Sequence, residues 1–170
     1  MAMVQNDPWS VFLYECQMYV ETREALHRAP EDHGREQVLY NALVESALLH
    51  TRILAEIILS RGTESDAIRL EQLIPAWQRA DRLAELVATL KREYGNRRTV
   101  DSPCWILNKM LAHPTLWRGD SYNYEAVFAK LDPIITDALR EIGMITSTND
   151  IRHFAGILRA MARKNAADAI

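Results

Sequence analysis

Every apolar pattern in this 170-residue chain recurs at three and four residues and none alternates at two. That spacing predicts an all-α protein, an antiparallel helical bundle closed around one core. Two further observations agree. Only 6 Gly and 6 Pro are present, too few for the tight turns of a β protein, and the helix formers Ala, Leu, Glu and Arg dominate the composition.

Asp7-Pro8 opens the first helix, an N-cap acceptor followed by a proline whose missing N–H costs nothing at the first helical position. That helix is expected over about residues 8–27, with Val11, Tyr14, Met18 and Ala25 supplying its inner face. Glu24 and His27 share the i, i+3 spacing of di-iron bundles, but no second such pair exists, so they read as an exposed polar pair near the helix end. Pro30 and Gly34 mark the connection to a second helix over about residues 36–61. On it Leu39, Leu43, Ser46, Ala47, His50, Ile53, Leu54 and Ile57 share one stripe, with Asn41, Glu45, Arg52 and Glu56 opposite. Gly62 is expected to close it as a left-handed cap.

A short helix over about 66–73 stops at Pro75. The next, over about 76–94, carries Ala80, Leu83, Ala84, Val87, Leu90 and Tyr94 at helical spacing. After the polar loop 95–99, Ser102-Pro103 repeats the cap-then-proline start, and Pro114 ends that helix near His113. The loop 114–121 leads into a long helix over about 122–142. Its stripe runs through Tyr124, Val127, Phe128, Leu131, Ile135, Ala138, Leu139 and Ile142, and Pro133 inside it should kink it. Ser147-x-x-Asp150 has the form of a capping box for a last helix ending near Lys164. No linker divides the chain, so residues 1–170 are expected to form a single helical domain with flexible ends at 1–6 and 165–170.

Composition narrows the function. The formal charge is -3, from 20 basic and 23 acidic residues, which argues against a protein that coats duplex nucleic acid with a basic face. Cys16 and Cys104 show no CxxC spacing and read as buried thiols of a reducing compartment, hence a cytoplasmic location. The first seven residues carry neither a basic region nor an apolar core, so no signal peptide is expected. The most apolar stretch, 47–59, contains His50, Arg52 and Glu56, which excludes a membrane span there. The chain holds no Gly-rich phosphate loop, GxSxG elbow, paired-Cys zinc site or HExxH, and neither a metal nor a cofactor is expected.

Three places could carry chemistry. His50 lies in the apolar stripe of the second helix, either as a core histidine with its ring nitrogens satisfied or as the lining of an internal polar site. Arg52 reads as part of an i±4 ion-pair network with Glu45 and Glu56. In the segment 107–118, Lys109 and His113 are i, i+4 neighbours with Asn108 beside them, and Arg118 follows in the loop. These side chains can gather around a phosphate, with His113 at a helix end that favours its cationic form.

Glu45-Ser46-Ala47-Leu48-Leu49-His50-Thr51-Arg52-Ile53-Leu54 resembles the hArxL helix of a group of uncharacterised bacterial helical proteins. Asn108-Lys109-x-x-x-His113-x-x-x-x-Arg118 resembles their NKxxAHxTxxR signature. More distantly, the bundle resembles the HEPN superfamily, many of whose members are metal-independent ribonucleases of defence and toxin–antitoxin systems. The resemblance implies that His113 is the acid/base and that Asn108, Lys109, Arg118 and Arg52 bind substrate. It also implies an RNA or nucleotide ligand, a cognate partner protein and a homodimer, for which Trp9, Trp77 and Trp117 offer apolar surface. The family's motif has an Arg, then four to six residues, then its His, and the residues five, six and seven before His113 are Asn108, Leu107 and Ile106. That departure shifts weight from cleavage toward binding, and any cleavage is expected to be slow. Two other readings stay open: a non-enzymatic helical interaction module, and a small-ligand-binding bundle using His50.

Overall fold

In a computed structural model, residues 7–29, 37–62, 67–112 and 124–168 are described, and among them every regular element is a helix. Helix α1, Pro8–Arg28, starts as its sequence requires: Asp7 Oδ2 accepts from the backbone N–H of Ser10 at 3.1 Å and from its hydroxyl at 3.2 Å. Its inner face is not the expected one. Phe12, Cys16, Tyr19 and Val20 are buried together with Glu15 and Thr22, whereas Tyr14 is 54% exposed. Apolar residues occur on both sides of α1, so periodicity alone does not choose between two faces about 100° apart.

Helix α2, Gln37–Ile58, is exposed at Val38 and Leu39 and buried on most sides after Ala47, where α1, α5 and α6 close around it. Leu39 is therefore not a core residue. The left-handed residue after α2 is Ser60 (φ 51°) and not Gly62. Gly62 serves a close approach instead, since a Cβ there would lie 2.3 Å from that of Ala67. Helix α3 is a single turn, Leu70–Leu73. Ala76 then turns the chain left-handed into the 3-10 turn Trp77–Arg79, which delays α4 to Asp81–Tyr94. Leu83, Leu86, Val87, Leu90 and Tyr94 form its buried face. Gly95 (φ +72°) follows, and a side chain there would collide with Ser102, whose Cβ would be 2.7 Å away.

Ser102 caps α5, Pro103–Ala112, by accepting from the Trp105 N–H at 3.2 Å. Helix α6, Tyr124–Ile145, buries Val127, Phe128, Leu131, Ile135, Ala138, Leu139 and Ile142 as its periodicity predicts, with Pro133 inside it. Ser147 does not act as the first residue of a capping box. It stands left-handed (φ 57°), Thr148 O receives the Arg152 N–H at 3.3 Å, and α7 runs over Asn149–Asp168. Helix α6 packs on α7 and α4, α1 packs on α2 and α7, and α5 covers α2. One continuous apolar core joins these helices. No helix among the described residues is long and apolar enough to cross a membrane.

Candidate functional site

Among the described residues, a Glu15–His50 pair lies closed in the core and a Tyr19–Asp132–Arg23 cluster borders a groove. In the core, His50 Nδ1 lies 2.7 Å from Glu15 Oε2, and the exposed Tyr14 ring meets the imidazole edge-on. The side chains of both partners are about nine-tenths buried, at 8% and 11% exposure. His50 is thus a core histidine held by a carboxylate, a partner that α1 supplies from 35 residues away.

The second cluster ties α1 to α6. Asp132 accepts from the Tyr19 hydroxyl at 2.5 Å and from Arg23 Nε and Nη2 at 3.0 and 2.7 Å. The Arg23 guanidinium stacks 3.7 Å over the Phe128 ring. Burial raises the Asp132 carboxyl above its ordinary range, outweighing the pull of Arg23 and the Tyr19 hydroxyl in the opposite direction. Burial likewise lifts the Tyr19 hydroxyl, and the Asp132 charge adds to it.

A groove runs outward from this cluster along the seam of α6 and α7. Cavities of about 450, 290 and 430 Å³ follow one another along it. Arg159 is shared by the first two, and Arg23, Asp132, Pro133 and Met161 by the second and third. Arg152, Arg159 and Arg163 line it from α7 at spacings of seven and four, which places them on one helix face. Arg140 joins them from α6, and Gly156 lies among them, with open space where a Cβ would stand. Arg159 pairs with Asp137, and Arg140 with Glu141. Among the described residues no ion pair engages Arg152 or Arg163. The far end of the groove is aromatic: the hydroxyls of Tyr40 and Tyr124 lie 3.0 Å apart, beside His27 and Glu125. The hydrogen bond to Tyr40, with burial, pushes the Tyr124 hydroxyl up to about 12.

Among the described residues singled out by sequence, His50, Arg52, Asn108 and Lys109 do not line this groove. Arg52 bonds Glu56 at 3.1 Å, as its i+4 spacing predicts, and Glu56 in turn accepts from the Tyr94 hydroxyl at 3.4 Å. Asn108 turns inward, donating to the Cys104 carbonyl at 2.8 Å, and Lys109 Nζ lies 5.9 Å from the Trp105 ring. His113 and Arg118 lie outside the described residues, as does Trp117. Trp9 and Trp77 are partly buried against the core. His27 is not the exposed residue expected either; its Nε2 is buried without a hydrogen-bond partner, while Glu24 pairs with Arg28. The arginine spacing on α7 is visible in the sequence and marks the groove; the Arg23–Asp132 bond spans 109 residues and is not. Among the described residues no three His, Cys, Asp or Glu side chains gather closely enough to hold a metal ion.

Comparison of the chain with protein-family models, characterised proteins and solved structures finds no match.

Proposed function

We propose that the protein binds single-stranded RNA along the α6–α7 groove, as a HEPN-like helical protein acting by binding. The observation that carries this reading is the alignment of Arg152, Arg159 and Arg163 on one face of α7, facing Arg140 across an open seam. Arg152 to Arg163 spans roughly 17 Å at 1.5 Å per residue. That length accommodates several nucleotide units in line. Guanidinium groups suit phosphate oxygens by their forked geometry, and tyrosine faces at one end suit unstacked bases. A net charge of -3 is compatible with a local basic groove, and it disfavours general adhesion to duplexes. The acid/base role that the resemblance gives His113 is not part of this reading.

The test is binding of a fluorescent RNA oligonucleotide as a function of salt. Four phosphate contacts correspond to a slope of log K against log salt of about -3 for a single strand. Arg152→Ala and Arg163→Ala should each weaken binding and flatten that slope by about 0.7. An affinity that ignores both salt and these two substitutions removes the groove from consideration. The homodimer is proposed alongside it on the resemblance alone, and light scattering at tens of micromolar distinguishes it from a monomer.

A further inference from the structure

The aromatic end of the groove differs in chemistry from the rest of it. Tyr40, Tyr124 and Phe128 give a cavity of about 430 Å³ its flat apolar walls. Its polar lining sets Arg23 against Glu125 and Asp132, with the His27 ring beside them. Arg23 and Asp132 are spent on each other at 2.7 Å, and Arg23 already occupies one face of Phe128. Among the described residues no hydrogen bond or ion pair engages the Glu125 carboxylate, which stands exposed at the first turn of α6. An anion would meet Glu125 and Asp132 there, and a cation would meet Arg23. A flat neutral group with its own donors suffers neither repulsion and gains the aromatic walls.

Resting on the RNA reading above, we infer that this pocket takes one unstacked nucleobase bearing an exocyclic amino group, its ring against Tyr124 and its amino hydrogens donated to Glu125. A carboxylate accepts from the amino group of cytosine, adenine or guanine, whereas uracil offers an oxygen at the corresponding edge. The arginine groove would then carry the flanking phosphates, so that one end reads a base and the remainder holds backbone.

The experiment compares octamers of adenylate, cytidylate and uridylate, and free adenosine and cytidine, on the whole protein. Adenylate and cytidylate octamers should bind about tenfold more tightly than uridylate. Glu125→Ala should abolish that preference, so that the three octamers bind alike. Tyr124→Ala should weaken the adenylate and cytidylate octamers by about tenfold. Glu125 is exposed, so its loss is readable without a risk to folding. Equal, salt-dependent affinity for all three octamers overturns the base pocket and leaves the groove standing. Binding of adenosine or cytidine that depends on Glu125, with no octamer binding, keeps the pocket and overturns the groove. No binding of any of these ligands overturns both, and a preference for uridylate overturns the role given to Glu125.

Discussion

At the scale of single residues, Glu15 and His50 are a buried pair whose members depend on each other. Removing one leaves a desolvated group with no partner, which costs more than the pair itself contributes. His50→Ala is expected to destabilise the fold by about 3 kcal/mol in urea denaturation while leaving oligonucleotide affinity unchanged. A loss of affinity without a loss of stability would return His50 to the candidate ligand-binding residues. Asp132 gives a prediction with a sign. Its native carboxyl is raised above the ordinary value of 3.8, so between the two values the native state holds a proton that the unfolded chain has released. Stability tied to that proton is fully present below the ordinary carboxylate range and is lost as pH rises through the raised native value. The cost of Asp132→Asn should therefore be largest at low pH and should shrink as pH rises through that window. A cost that grows with pH would mean that Arg23 outweighs burial.

At the scale of helices, α7 carries a glycine where nothing in the fold requires one. Gly156 is exposed, and no atom stands within 4 Å of where its Cβ would be. A helical glycine costs about 0.5–1 kcal/mol relative to alanine, so Gly156→Ala should stabilise the protein by that amount in thermal or urea unfolding. Gly156→Glu should instead weaken RNA binding, because it sets a carboxylate between Arg152 and Arg159. Pro133 is the second residue of this kind: it cannot donate to the carbonyl four residues back, and it lines the groove on α6. The elements differ in how much of them could be read in advance. The α6 stripe was legible because seven apolar residues share one side of it. The inner face of α1 was not, because Tyr14 and Met18 compete there with Phe12 and Tyr19. Ala76 and Ser147, both left-handed without being glycine, moved the starts of α4 and α7 for tertiary reasons that local sequence does not express. The groove was half legible. Arg152, Arg159 and Arg163 share a helical face by spacing alone, but their meeting with Arg23 needs α1 and α7 side by side.

At the scale of the molecule, the described helices set a closed interior beside a groove between α6 and α7. The Glu15–His50 pair and the Tyr19–Asp132–Arg23 cluster both anchor α1, one to α2 and one to α6. Helix α1 is therefore held by polar bonds on two sides as well as by its apolar face. On the proposed reading, oligonucleotide in the groove would touch α6 and α7 and, at the aromatic end, also α1 and α2. Bound ligand should accordingly stabilise the whole bundle in proportion to its concentration over its Kd, and not α7 alone.

The two cysteines give this interior its own clock. Cys16 on α1 and Cys104 on α5 are both buried, and burial, with the neighbouring Glu15, pushes the Cys16 thiol far above its ordinary value. A thiol reagent attacks only thiolate, so Cys16 is silent for as long as α1 stays docked. Its rate of alkylation in native buffer measures how often that helix leaves the bundle, and the rate at Cys104 measures the same for α5. Equal rates would mark a structure that opens all at once. A faster Cys104 would mark α5, which packs chiefly on α2 and α4, as a flap that lifts while the rest of the bundle holds.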